Sequence, residues 1–369
     1  MSVHAFLRRS AELPGRGRLA ACRAGDAAVA AARRAVSGAP LPWPHEGQAS
    51  VEVEGIGCLG TVGDQRPVPI ASLTKVMTAY VVLRAHPLGP GDPGPVVRVD
   101  RAAARESGST IESVVPVEEG QEFSLRQLLA YLLIPSGNNI ARLLARWTAG
   151  CEADFVRRMN GAAAELGMTR TRFTGSCGMD TGNTSTAVDL LVLARAVMRD
   201  EVFRSIVATP SVRLPGDRGE ARTTNRLLGR HGVAGLKTGT STPAGGNVLW
   251  AAYKDVDGSR RLVLGAVLAQ RSGCSPVRAR AAVWAHSRRL VEAVQRAPLD
   301  ELARLGPSAP PSPAPPNAVN PRGVGTRTHV DTIRPRAAGT VDSGGRVRGS
   351  ETGGLWSGDD SPSETPQRS

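Results

Sequence analysis

The strongest constraint on this chain is the order in which its hydrophobic periodicities change. Residues 51–63, VEVEGIGCLGTVG, alternate and turn at glycines, which predicts a hairpin. Helical spacing then takes over. From Ser72 the apolar positions Leu73, Val76, Met77, Tyr80 and Val81 recur on one helical face, and the pattern predicts a stop before Pro87. Ser124 and Gln127 form a capping box that opens LRQLLAYLL, which Pro135 closes. Further helical patterns cover residues 140–147, 153–166 and 186–198. Strand character returns in VAGLKTGT, NVLWAAY and RLVLGAVLAQ, the last two joined through a turn at Asp257 and Gly258, and an amphipathic helix follows over 276–294. Strands, helices, strands and a final helix predict an antiparallel sheet flanked by terminal helices, with a helical insertion.

With 369 residues and 41% hydrophobic composition the chain can bury a sizeable core. Its ends read differently from its middle. Residues 1–40 are rich in Ala and Arg, and their longest uncharged apolar run, 27–32, is shorter than the core of a secretory signal or a membrane span, so no export signal is visible there. After about residue 305 the composition turns to Pro, Gly, Ser, Thr and Arg, which cannot bury enough surface to offset its ordering entropy. The expected division is an N-terminal extension over 1–40, a folded domain over 41–297 and a disordered tail over 298–369.

Several function classes drop out. The net charge of +13 comes from scattered arginines, and aromatic residues for base stacking make up only 4%, so nucleic acid is not an expected partner. A basic surface instead favours anionic surroundings such as a cell wall or lipid headgroups. Cys22, Cys58, Cys151, Cys177 and Cys274 are widely spaced, with no Cys-x-x-Cys and no histidine pair nearby, so no metal centre is expected. No Gly-x-Ser-x-Gly elbow is present. Gly55, Gly57 and Gly60 have the spacing of a dinucleotide fingerprint, but the polar, proline-containing DQRPVP follows where that fingerprint requires a helix. No cofactor is implied.

The positive signal lies in the lysines. Of 46 basic residues only Lys75, Lys237 and Lys254 are lysines; the others are arginines. Arginine stays protonated in proteins, whereas a lysine amine can lose its proton when its surroundings depress its pKa. Ser72 at the start of a helix puts Lys75 one turn along on the same face, within reach of the serine oxygen. The positive end of the helix dipole favours a serine alkoxide and a neutral lysine. Lys237 ends a strand pattern, where alternation points Lys237 and Gly239 to one face and Thr238 to the other. Between the lysines, Ser136, Gly137 and Asn138 occupy a short loop suited to hydrogen bonding.

The set Ser72-Leu-Thr-Lys75, Ser136-Gly-Asn138 and Lys237-Thr-Gly239 resembles the three motifs of the penicillin-recognising serine enzymes. Its wording, in PIASLTKVMTAYVVL, LLIPSGNNIARLLA, STAVDLLVLA and GLKTGTSTPAGGN, looks most like the D-alanyl-D-alanine carboxypeptidases, the low-molecular-mass penicillin-binding proteins, over residues 46–297. The resemblance implies an α+β fold of the β-lactamase/transpeptidase type: a five-stranded antiparallel sheet flanked by helices, a mostly helical lobe, and the site between them. It implies Ser72 as the acylated nucleophile, Lys75 as its base and Ser136 as a proton relay to the leaving group. Asn138 would hold the substrate amide. Lys237, Thr238 and Thr240 would bind a terminal carboxylate beside Gly239, with Lys237 depressing the Lys75 pKa by like charge. The N–H groups of Ser72 and Thr240 would form the oxyanion hole. The implied partners are peptidoglycan stem peptides ending in D-alanyl-D-alanine and β-lactams as covalent inhibitors, which places the work outside the membrane.

Other readings share these motifs, a related endopeptidase or transpeptidase among them. A class A β-lactamase needs a deacylating glutamate in the interval before the third motif; Glu152, Glu165, Glu201 and Glu220 fall there, none in a Glu-x-x-Leu-Asn context. A non-catalytic wall-binding or penicillin-sensing module is the third possibility.

Overall fold

The structure, a computed structural model, describes residues 41–300. The N-terminal extension and the expected tail, apart from its first three residues, lie outside the described residues. The chain opens with the expected hairpin, β1 (Gln48–Val53) and β2 (Gly57–Val62), and the segment Val68–Pro69 (β3) leads into a 3-10 turn at Ala71–Leu73. The first helix, α1 (Thr74–Ala85), stops before Pro87 as its sequence predicts. A short strand, β4 (Val96–Arg98), a short helix, α2 (Arg101–Glu106), and β5 (Glu122–Ser124) follow.

The helical middle contains α3 (Leu125–Leu133), α4 (Asn138–Ala149), α5 (Glu152–Glu165), the two-residue strand β6 (Thr184–Ser185), α6 (Ala187–Val197) and α7 (Glu201–Val207). The expected capping box at Ser124 forms by half, because the Gln127 side chain turns to the Tyr131 hydroxyl at 3.1 Å instead of reaching back to Ser124. Ser124 accepts a hydrogen bond from the Gln127 N–H, and Thr186 accepts one from Asp189, each satisfying a donor that the first helical turn leaves open. A small ribbon, β7 (Ser211–Arg213) with β8 (Glu220–Arg222), closes the insertion. Helices α2 and α7 and the minor strand pairs are not expected from periodicity, because six- or seven-residue elements span too few turns to establish one.

The three long strands close the sheet: β9 (Val233–Ser241), β10 (Gly245–Val256) and β11 (Ser259–Gln270), followed by α8 (Pro276–Arg296). All pairings are antiparallel in the order β2-β1-β11-β10-β9, which is the expected five-stranded sheet. β1 pairs with β11, with Gln48 opposite Leu268, so the first and last strands lock together and the helical insertion is bracketed between them. β9 forms one edge.

The run NVLWAAY is apolar at nearly every position because the sheet is covered on both faces. Leu249 and Ala251 join the large core made with the helical insertion, whereas Val248, Trp250 and Ala252 join a second core with Val283, Leu290 and Val294 of α8. Packing continues to Leu299, which sits in that second core. No described helix is long and apolar enough to cross a membrane.

The Ser124 cap sits at the mouth of α3, whose C-terminal end presents the Ser136 loop. Ser124→Ala is expected to destabilise the domain by about 1 kcal/mol, whereas Ser124→Asp should retain most of the stability. Chemical denaturation of the two variants beside the parent checks this; equal loss in both would mean that the cap contributes nothing.

Candidate active site

Ser72 lies inside the 3-10 turn rather than on the first turn of an α-helix, and Lys75 is the second residue of α1. Backbone presses on this turn from two sides. A Cβ added at Gly178, whose φ is +88°, would meet the Ala71 carbonyl oxygen at 2.0 Å. One added at Gly239 would meet the Ile70 carbonyl oxygen at 2.6 Å and the Ser72 nitrogen at 2.9 Å. Only residues without a Cβ allow the 176–178 loop and strand β9 to close on Ser72 this tightly.

The Lys75 side chain is fully buried and makes three contacts through Nζ: 3.0 Å to Ser72 Oγ, 2.5 Å to Asn138 Oδ1 and 2.7 Å to the Cys177 carbonyl oxygen. Burial lowers its pKa from the usual 10.5 to about 8; Cys177 opposes the shift, the Arg142 charge adds to it, and the Glu112 charge opposes it. The contacts have a stereochemical consequence. An amide oxygen and a backbone carbonyl can only accept, so both require an N–H. A neutral amine has two, and its remaining tetrahedral position, the lone pair, then faces the Ser72 hydroxyl.

Asn138 starts α4, where its own N–H donates to the Ser113 carbonyl at 2.7 Å. Its Nδ2 donates to Glu112 Oε2 at 3.0 Å. Glu112 also accepts from Arg142 at 2.7 Å, and Arg142 reaches Glu106 at 2.9 Å and Cys177 Sγ at 3.2 Å. Burial alone would raise the Glu112 pKa, but the hydrogen bonds from Arg142 and Asn138, with the Arg142 and Lys75 charges, hold it below the usual carboxylate value. Two residues before Asn138, in the loop that leads into α4, Ser136 adopts a φ of +68°, and its buried hydroxyl has no hydrogen-bond partner among the described residues. A serine held in the left-handed region is a local backbone cost, placed where its hydroxyl lines the cleft.

Lys237 is also buried and donates to the Thr238 carbonyl at 3.0 Å. Its pKa lies well below the usual lysine value because of burial first and the Lys75 charge second. The expectation that Lys237 depresses Lys75 thus takes a different form here: desolvation dominates at both lysines, and the like-charge effect falls on Lys237. The cleft above is lined by Ser72, Ser136, Thr238, Gly239 and Thr240, with Lys75, Asn138 and Lys237 almost wholly buried. Thr238 faces the cleft although alternation puts it on the opposite side from Gly239; its hydroxyl donates to Thr224 at 2.8 Å. The edge position of β9 leaves both neighbours within reach of the opening.

Sequence reasoning misses Glu112, Arg142, the Cys177 carbonyl and two further residues lining the cleft, Arg280 and Trp284 from α8. Arg142 was findable, since it lies one turn after Asn138 on the same helix face. The others arrive only through tertiary structure.

Comparisons with known proteins agree with this arrangement. The family model described as D-alanyl-D-alanine carboxypeptidase matches residues 59–268. The chain is 38% identical over 202 residues to the D-alanyl-D-alanine carboxypeptidase DacD of Escherichia coli, a match covering 52% of this chain and 50% of the relative. Penicillin-binding protein 6B of Escherichia coli has a similar structure, with a TM-score of 0.60 and 31% identity over 70% of this chain and 80% of that one. The Streptomyces K15 DD-transpeptidase matches with a TM-score of 0.59 and 27% identity over 69% of this chain and 98% of that one. The chain spans about half the length of the curated carboxypeptidases it matches first. Fold, motif order and the matched region together show that this chain belongs to the D-alanyl-D-alanine carboxypeptidase family of penicillin-binding serine peptidases.

Proposed function

We propose that residues 41–297 form a serine D-alanyl-D-alanine carboxypeptidase domain that trims the terminal D-alanine from peptidoglycan stem peptides and is acylated by β-lactams. The observation that carries this reading is the Lys75 amine, buried and aimed at Ser72 by two obligate acceptors. Lys75 takes the Ser72 proton as Oγ attacks the carbonyl carbon of the penultimate D-alanine. The oxyanion forms against the Ser72 and Thr240 N–H groups, each worth about 2.7–4 kcal/mol in such a role. The C–N bond then breaks, and the departing D-alanine nitrogen receives a proton through Ser136, whose unpartnered hydroxyl lines the cleft. Water hydrolyses the Ser72 ester, releasing the shortened peptide and restoring the serine.

Asn138 holds the substrate amide, and Lys237, Thr238 and Thr240 receive the terminal carboxylate beside Gly239. Arg280 of α8 also lines this opening and adds a positive charge to it. Such a substrate places the domain on the outer side of the membrane.

The positions of the candidate glutamates speak against a class A β-lactamase. Glu152 is held by the Ser176 N–H and hydroxyl, Glu165 pairs with Arg84 at the surface, and Glu220 bonds to Ser211. None of these, nor Glu201, lines the cleft. Incubating the protein with a D-alanyl-D-alanine peptide and, separately, with penicillin tests the assignment. Free D-alanine and a long-lived penicilloyl adduct are expected; rapid penicillin turnover without D-alanine release would point to the lactamase, and binding of wall fragments without either reaction to a non-catalytic module.

The lysines should separate by role. Lys75→Arg keeps a positive charge but cannot act as a base, so acylation by fluorescent penicillin should fall by roughly 10²–10⁴. Lys237→Arg keeps the cation that a carboxylate needs, and its loss should be smaller and fall mainly on KM for the peptide. Robust labelling of the Lys75 variant would remove its assigned role.

The pH dependence follows from the direction of the Lys75 shift. With a pKa of about 8, the active neutral amine is the minority form at pH 7 and predominates above pH 8. The second-order rate of acylation should therefore rise about tenfold per unit on the acid side and level off above about pH 8. A profile that is flat from pH 6 to 9 would contradict a titrating lysine base.

A further inference from the structure

We infer that Glu112 is a positioning residue for acylation: it fixes which way the Asn138 amide faces, and thereby which way the Lys75 lone pair points. This rests on the reading of Ser72 and Lys75 as the acylating pair. An ionised carboxylate only accepts hydrogen bonds. Because Glu112 Oε2 lies 3.0 Å from one terminal atom of the Asn138 amide, that atom must be the NH₂, and the oxygen must turn to Lys75, where it sits 2.5 Å from Nζ. Reversing the amide would set two acceptors against each other at Glu112 and offer Lys75 an N–H in place of an acceptor.

The orientation matters because the amine has no spare contacts. Asn138 Oδ1 and the Cys177 carbonyl occupy both N–H groups of neutral Lys75, leaving the lone pair for Ser72. If Asn138 presented NH₂ instead, the lone pair would accept from that group, and the amine would face Ser72 with a proton it cannot use. Glu112 is held in turn by Arg142, whose guanidinium also grips Glu106 and contacts Cys177, the residue that supplies the other Lys75 acceptor. One guanidinium thus ties together both supports of the amine. Glu112 is only partly exposed, with 18% of its side chain accessible, and its chain neighbour Ser113 lines the cleft.

The charged groups around Lys75 are Glu112, Arg142 and Lys237, with the Cys177 thiol beside Arg142. The Glu112 charge raises the Lys75 pKa, so removing it should move the acid limb of the pH–rate profile to lower pH. Loss of lone-pair alignment should lower the plateau. A variant that is more often deprotonated yet slower is an outcome that simple electrostatic tuning does not give.

The test uses the full chain and measures second-order acylation by fluorescent penicillin across pH. Glu112→Ala, which removes the acceptor, should lower the plateau by about tenfold to a hundredfold and shift the acid limb downward, in a protein that melts at a lower temperature for want of the Arg142 pair but stays folded at the assay temperature. Glu112→Gln, whose Oε1 can still accept from Asn138 and Arg142, should keep most of the plateau while its acid limb also moves downward. On an Asn138→Ala background, Glu112→Ala should cost nothing further, because the residue through which it acts is gone. The inference is overturned if Glu112→Ala matches the wild type, if its loss is the same on both backgrounds, or if the loss tracks unfolding. A wild type that penicillin does not acylate at all would overturn the underlying reading as well, and so is distinguishable from a failure of Glu112 alone.

Discussion

The structure around the cleft is organised by the burial of one amine. A lysine removed from water strongly disfavours its charged form, and a site that keeps it must supply acceptors for its N–H groups and a place for its lone pair. Lys75 receives these from three separate parts of the chain: its own helical turn through Ser72, the start of α4 through Asn138, and the 176–178 loop through the Cys177 carbonyl. The junction between sheet and helical insertion is therefore a polar joint inside an apolar core. Val76 and Met77, immediately after Lys75, are wholly buried in that core. Arginine could not serve here, since it would carry a permanent charge into the same space.

A second layer of charge supports the joint. Arg142 is bound by Glu106 and Glu112 at 2.9 and 2.7 Å, with only 17% of its side chain accessible. The neighbouring Arg146 pairs with Asp100, which also caps α2 through the Ala103 N–H. Helix α2 is only six residues long and could not hold itself in place. The two arginines of α4 clamp it, and Asn139 adds hydrogen bonds to the Ala103 and Val115 carbonyls. The segment that carries Glu112 is thus fastened at both ends to the helix that carries Asn138. Isolated surface ion pairs contribute little, but a connected, half-buried set such as this fixes geometry.

How much of this is legible in the sequence follows the range of the interactions. The hairpins, the Ser124 cap, the stops at Pro87 and Pro135 and the helical stripes are set by neighbours within a few residues, and the sequence displays them directly. The Ser72–Lys75 pair is legible for the same reason, being separated by three positions. Glu112 reaches Asn138 across 26 residues and the Cys177 carbonyl reaches Lys75 across 102, and no local pattern announces either. Even within the local range the 3-10 turn at Ser72 departs from the helix that periodicity predicts. Its cause is tertiary, since Gly178 and Gly239 compress the backbone from both sides.

The Ser136 loop shows what this preorganisation costs the free protein. Its left-handed backbone is unfavourable by about 1–3 kcal/mol, and nothing in the local sequence demands it. The flanking hydrogen bonds, Gly137 N–H to Tyr131 and Asn138 N–H to Ser113, hold the loop in this state, and Tyr131 is itself buried in the large core. Relaxing Ser136 would require α4 to move, and moving α4 would strip Lys75 of Asn138. The same coupling that makes the loop unable to relax makes the amine unable to turn away from Ser72, so strain at one serine and alignment at the other are two consequences of a single fixed helix start.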